Sequence, residues 1–562
     1  MPMKKFFLFS VLPIFLLGCS SFDDESDLLP QQEAKRTLQV SSAEEVSLAP
    51  DPNSLDIMRR AVDSVARNTL TRSRAAVVFG AQIEPTHRYV CFRPATDMQW
   101  SALCEEDGFI VSGVFPLDEL SPVSEADNCY LPVEGDSFDK FYAVMPVTIE
   151  LPDTIVWEVL KEFYDPCSSE EGRTDPAWAE RVTAQARALV DDERHPGDDY
   201  VLWKPSGQLR VWDDLMNRYV PLEGVDVTLT DPSNLLAPIK LKTDANGRYS
   251  YSKTIVGQRN HSYSLSNTYW TIFHEAYRHT GLPGPALSKA WNVDIAKSST
   301  VPWQMAMVYR AVYRYWYKSG LSKPDFRGLT NPNLVERRLR VNCSDKNSLS
   351  TDNVYKPTAE GYFLPKDGTV NIACRAVIPG RLFTVVVHEL GHAARFVHAD
   401  ECSSFIEESW ASFVQWYLTV QEYGAFIYTT YTVPGTTQTY IKPDELNRQK
   451  WIPSSVSSVS LVYTPLFIDL YDDFDQHYWY SVIEPNFYVA ADLLKIPEDK
   501  ISLRAGLVEQ IAFRSDNMEE LVANIRSVAS QNGISTGIVE DFLQVYYYSG
   551  MIKDKVEDNE RH

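Results

Sequence analysis

The chain has 562 residues, 44% hydrophobic and 23% charged, a globular balance that at roughly 100–200 residues per domain leaves room for several domains and excludes collagen-like, wholly disordered and multi-span membrane proteins. Asp and Glu number 76 against 53 Lys and Arg, for a formal charge of -23. That excess repels phosphate backbones, so nucleic-acid binding is excluded as a function.

Lys4 and Lys5 precede an apolar run from Phe6 to Leu17, the charge pattern of a signal peptide too short to span a bilayer. The run ends in Leu16-Leu17-Gly18-Cys19, which resembles a bacterial lipobox. The resemblance implies cleavage after residue 18 and lipidation of Cys19, with the acyl chains anchoring the protein to a membrane. Next comes Ser20-Ser21-Phe22-Asp23-Asp24-Glu25-Ser26-Asp27, similar to the acidic export tag of Gram-negative lipoproteins displayed on the outer membrane. A cell-surface, lipid-anchored location is therefore expected, with residues 19–53 as a flexible tether. Seven further cysteines follow Cys19, and Cys91/Cys104, Cys129/Cys167 and Cys343/Cys374 are local pairs open to disulfide formation, the connectivity being undetermined.

Beyond the tether, Leu55, Ile57, Met58, Ala61, Val62 and Val65 recur at helical spacing, predicting a helix over 54–68. Strands are expected at 88–92 and near 141–151, and helices at 155–165 and 176–191. Together they make residues 54–195 a small mixed α+β domain. From 203 to 269, alternating stretches at 208–212, 225–229, 239–242 and 248–252 predict a β-sandwich, with Asn246-Gly247 supplying the positive φ angles of a tight hairpin turn. Pro221-Leu222-Glu223-Gly224-Val225-Asp226-Val227-Thr228-Leu229 and Thr243-Asp244-Ala245-Asn246-Gly247-Arg248-Tyr249-Ser250-Tyr251 resemble the carboxypeptidase regulatory-like family, which implies a transthyretin-like module without chemistry of its own.

The rest, 270–562, carries a long aromatic helix over 301–318, strands at 338–342 and 369–374, a helix over 382–397 and a mostly helical remainder. Inside the last-named helix lies His388-Glu389-Leu390-Gly391-His392. Two histidines four apart on a helix project from one face, so both imidazoles reach a single Zn²⁺. Glu389 beside them is placed as the general base for a zinc-activated water. A catalytic zinc takes a third protein ligand and keeps one position open. Glu408 is the expected ligand, in Phe405-Ile406-Glu407-Glu408-Ser409-Trp410-Ala411-Ser412-Phe413, where Ala411 and Ser412 allow close helix packing. Glu407 is the neighbouring alternative.

This arrangement resembles the gluzincin class of zinc metallopeptidases. Carried over, His388, His392 and Glu408 match the ligands and Glu389 the base. His398 is a rival third ligand by metzincin spacing, but Arg395 stands where that pattern needs Gly to reverse the chain. His274-Glu275-Ala276-Tyr277-Arg278-His279 has the wrong spacing for a metal helix and reads as surface or packing. Asp469, Asp472, Asp473 and Asp475 lack Ca²⁺-loop spacing and read as a solvated acidic face. Tyr463 and His477 are oxyanion donors by residue type alone.

The expected fold is thus multidomain α+β: a small mixed N-terminal domain, a β-sandwich and a mostly helical zincin-like metallopeptidase domain. The expected activity is hydrolysis of protein or peptide substrates, an endopeptidase being preferred because no Gly-Ala-Met-Glu-Asn exopeptidase motif occurs. The alternative is a non-catalytic surface lipoprotein that binds glycan or protein through its aromatics, 12% of the chain, with a degenerate or structural zinc site.

Overall fold

The computed structural model describes residues 50–69, 83–94, 99, 103, 108–125, 140–193, 201–274, 281–329, 337–346, 348–350, 358–365, 367–375, 379–399, 403–427, 429–432, 439–442, 466–472 and 501–548. These form a mixed α/β protein with ten α-helices and several separate sheets. Cys19, the expected leader and nearly all of the expected tether lie outside them, as do Cys104, Cys129, Cys402, Tyr463 and His477. Among the described residues no helix is long and apolar enough to cross a membrane.

Helix α1 (Leu55–Thr69) buries the expected stripe Ile57, Met58, Ala61, Val62 and Val65. It packs against Val182, Ala186 and Val190 of α3 (Pro176–Glu193), which follows the short α2 (Glu170–Thr174). Four strands, β1 (His87–Arg93), β2 (Val111–Gly113), β3 (Phe141–Pro146) and β4 (Val156–Phe163), make an antiparallel sheet in the order β2-β3-β1-β4. The helix expected at 155–165 is therefore strand β4. Its Leu, Glu and Lys favour helix, but the pairing along β1 wins for a run that also holds Val156, Trp157, Val159 and Phe163.

The middle of the chain builds two facing sheets from β6 (Ser206–Asp213), β7 (Arg218–Pro221), β8 (Asp226–Asp231), β9 (Asn234–Lys242), β10 (Arg248–Ser250), β12 (Arg259–Ser264), β14 (Gly281–Leu287) and β15 (Trp291–Ile295). One has the order β10-β6-β15 with β7 also on β6; the other runs β14-β12-β8-β9. A two-stranded ribbon of β5 (Leu202–Trp203) and β11 (Ile255–Val256) lies beside them. Strand pairing thus continues past residue 269. The stretch Gly281-Leu282-Pro283-Gly284-Pro285 does not read as a strand, yet β14 is an edge strand, where proline's missing N–H costs no ladder bond. The turn at Asn246-Gly247 also departs from expectation: among the described non-glycine residues only Asn217 has positive φ, and here Gly247 alone does, at 71°. Asp244 Oδ1 accepts the amides of Asn246 and Arg248 at 2.8 and 2.9 Å. The turn carries the chain from β9 in one sheet to β10 in the other, which pairs with β6.

Between these sheets His261 is sandwiched by Trp203 and Trp291, its Nδ1 2.9 Å from Arg259 O. Burial pushes this imidazole down from 6.5 to about 4, against the two carbonyl bonds that would raise it. The folded state keeps it neutral while the unfolded chain takes up a proton. Its stabilising contribution is therefore complete above pH 6.5 and lost as pH falls toward 4, a change of about 3 kcal/mol at 1.36 kcal/mol per unit. Denaturant titrations at pH 7 and 4.5 are expected to show a shallower loss of stability in His261→Asn than in the wild type. Equal slopes would contradict this assignment.

A fourth four-stranded sheet combines β13 (Trp270–His274), β16 (Leu339–Ser344), β20 (Thr369–Ala373) and β19 (Gly361–Leu364) in the order β13-β16-β20-β19. The first three are parallel, and β19 is an antiparallel edge strand. Two small ribbons pair β17 (Leu349–Ser350) with β18 (Thr358–Ala359), and β21 (Thr429–Thr432) with β22 (Thr439–Lys442). Among the described residues the helices of this region are α4 (Thr300–Lys318), α5 (Pro379–His398), α6 (Ser404–Ile427), α7 (Leu466–Asp469), α8 (Ala505–Phe513), α9 (Met518–Gln531) and α10 (Thr536–Tyr548). One contiguous apolar core runs from the facing sheets through this region, joining residues as distant as Trp203 and Leu543. Arg310 of α4 ties the parts together, its guanidinium buried 2.6 Å from Asp213 of β6 and 2.7 Å from Glu422 of α6.

The cysteines and one acidic cluster differ from expectation. Cys343 and Cys374 are free buried thiols whose side chains meet in a hydrogen bond, although the register of β16 on β20 sets Cys343 opposite Ile372. Cys91 and Cys167 are free as well. Asp469 and Asp472 are buried rather than solvated, because α7 is wholly buried and packs on α6; Asp473 and Asp475 lie outside the described residues.

Candidate metal centre

Helix α5 places His388 and His392 on one face because four residues complete little more than one turn. Helix α6 crosses beside it. The close approach depends on Gly391, where a Cβ would come within 3.1 Å of Ala411 Cα and 3.3 Å of Val414 Cβ. Trp410 fastens the crossing by donating its indole N–H to Gly391 O at 3.2 Å. The result brings the N-terminal turn of α6 to the two histidines.

Glu408 Oε2 lies 3.3 Å from His388 Nε2 and 3.6 Å from His392 Nε2, and the two Nε2 atoms are 3.2 Å apart. In a tetrahedral site the distance between ligands is about 1.63 times the bond, so bonds of 2.0–2.1 Å require roughly 3.3–3.4 Å. The triangle, with sides of 3.2, 3.3 and 3.6 Å, lies within about 0.3 Å of that spacing. It also has the right chemistry: Glu408 Oε2 is buried and takes no hydrogen bond of acceptable geometry among the described residues, leaving a shielded anionic oxygen and two imidazole nitrogens converging on one point. These three residues form a group able to hold a metal ion.

The electrostatics agree. Burial would raise the Glu408 carboxyl, but His392 and then His388 hold it well below the usual carboxylate range. Burial would lower the His392 imidazole, yet Glu408 and Glu407 hold it well above its usual value. Glu407, too, is raised by burial and drawn lower by His392. The pocket is built to stabilise positive charge.

Glu389, the expected base, is 3% exposed and sits next to His388. Its side chain packs against β19: a Cβ at Gly361 would lie 3.1 Å from Glu389 Cγ and 2.8 Å from Val385 Cγ1. Gly361 thus keeps room for the Glu389 side chain, a requirement that the strand-like Gly361-Tyr362-Phe363-Leu364 hints at only through a glycine heading an apolar run.

Other expected residues fall elsewhere. Glu407 does not join the triangle but meets the opposite nitrogen of His392, with Oε1 3.2 Å from Nδ1. His398 is exposed at the end of α5, its Nε2 2.7 Å from Lys323 O, and does not join the triangle. Arg395 does not reverse the chain and remains helical. His274 is fully buried on β13, its Nε2 3.0 Å from Gln304 Oε1, a packing role; residues 275–280 lie outside the described set.

No protein-family model matches the chain, and no curated protein matches it at a significant level.

Proposed function

We propose that this chain is a zinc metallopeptidase of the gluzincin type, an endopeptidase held at the outer-membrane surface by lipid on Cys19, with a small N-terminal α+β domain and a β-sandwich attached to a zincin-like catalytic domain. The observation that carries the reading is the triangle of His388 Nε2, His392 Nε2 and Glu408 Oε2, with sides of 3.2, 3.3 and 3.6 Å. Two imidazoles and one carboxylate at tetrahedral spacing suit Zn²⁺ and leave one position for water or substrate.

When bound, the metal supplies a Lewis acid for the scissile carbonyl and lowers the pKa of water. Glu389 accepts the proton of the attacking water and returns it to the departing amine. Its burial beside Gly361 limits its movement between those tasks. Among the described residues no strand covers the outer edge of β19. An extended peptide can add there as a further strand, bound by main-chain hydrogen bonds and delivered next to Glu389.

Metal removal tests the proposal. The wild-type chain is expected to cleave casein or a mixed fluorogenic peptide set, to lose that activity on chelation and to recover it on restoring about one equivalent of Zn²⁺. A zinc-loaded chain that cleaves none of these, or cleavage indifferent to chelation, would reject the peptidase and leave the binding lipoprotein in its place.

A further inference from the structure

The two acidic residues near the start of α6 face different atoms of the same histidine. Glu408 lies toward Nε2 of His392, whereas Glu407 brings Oε1 to Nδ1. A neutral imidazole carries one ring proton, so a carboxylate accepting at Nδ1 holds it there and leaves the Nε2 lone pair for an ion. We propose that Glu407 is a positioning residue of the metal centre, setting the tautomer and tilt of His392, and that the turn between α8 and α9 braces it through Arg395. The role rests on the metal-binding reading above.

The brace is built from both sides of the contact. Arg395 follows His392 by three residues on α5, is 3% exposed, and donates Nη2 to Ser515 O at 2.8 Å. Its guanidinium also lies 3.8 Å from Asp516. The same turn accepts Ser403 N at Asp516 O, 3.1 Å away, immediately before α6 begins. One turn therefore grips the C-terminal end of the metal helix and the N-terminal end of the helix bearing both glutamates. Glu407 itself is 42% exposed at its side chain, so replacing it leaves little unfilled space.

The test uses the full chain and two variants, Glu407→Gln and Glu407→Ala. Zn²⁺ affinity is measured by competition with a chromophoric chelator, and ligand geometry by the visible spectrum of the Co²⁺-loaded protein. Glu407→Ala is expected to weaken Zn²⁺ binding by about 10–100-fold, the range for loss of such a partner, and to shift the Co²⁺ bands. Glu407→Gln keeps an acceptor for the Nδ1 proton but no charge, so about a tenfold loss is expected. A purely structural role would change thermal stability without moving the Co²⁺ spectrum. Wild-type affinity and spectra in both variants, or in Glu407→Gln alone should Glu407→Ala misfold, would overturn the proposal while leaving the metal site standing. A wild-type chain that binds neither ion would remove the site and this role together.

Discussion

Glu389→Gln is expected to lower kcat for peptide hydrolysis by about 10²–10⁴-fold while leaving metal content unchanged, the range for removing a positioned general base. Gln has nearly the same shape and fills the space beside Gly361 and Val385, so the fold should tolerate it. What disappears is a basic oxygen able to take a proton from water. KM should move little, since the loss falls on the transition state rather than on substrate binding. Rates and bound metal measured on the same preparations separate this from a loading defect. Wild-type turnover in Glu389→Gln would remove Glu389 from the chemistry, and turnover lost in step with metal would make it part of the binding site instead.

The second large effect concerns the ligands. His388→Ala and Glu408→Gln are each expected to weaken zinc binding by roughly 10²–10³-fold, taking a site of about 10–16 kcal/mol to share its energy among three protein ligands and water. Both substitutions should abolish hydrolysis at limiting zinc. The order matters as much as the size: these losses must exceed that of Glu407→Gln, because Glu407 meets Nδ1 of His392 rather than the converging point. Chelator competition across the series gives the ranking directly. If Glu407→Gln lost more than Glu408→Gln, the two glutamates would have to exchange roles.

Much of this site is legible in the amino-acid sequence. Helical periodicity alone places His388 and His392 together, and a small-residue segment after the next turn suffices to nominate Glu408. Spacing and resemblance favour Glu408 without excluding Glu407, since neighbours on a helix differ by about 100° and only the crossing of α5 on α6 decides which faces Nε2. That crossing depends on Gly391 meeting Ala411 and Val414, a contact between residues that sequence spacing does not pair. Strand β19 pairs locally with β20 and is missed because its run has only four residues, whereas β13 escapes a reading by periodicity because its place is set by β16, roughly seventy positions further along. The strand at Val156–Phe163 reads as helix for the same reason: its decisive partner, β1, lies roughly seventy positions away. The burial of Asp469 and Asp472 follows from α7 packing on α6, which charge patterning cannot show. By contrast, α1 is plain from its stripe, because an amphipathic helix carries its own address in the sequence.

The proposed function stands on three side chains from two helices holding one metal ion with a corner of its coordination open. Anomalous diffraction at the zinc edge, on crystals of the chain loaded with one equivalent of Zn²⁺, tests this most directly. A single peak is predicted within about 2.0–2.2 Å of His388 Nε2, His392 Nε2 and Glu408 Oε2, with the fourth position facing solvent. No peak at that point, or a peak closed off by a fourth protein ligand, would contradict the proposed metal centre.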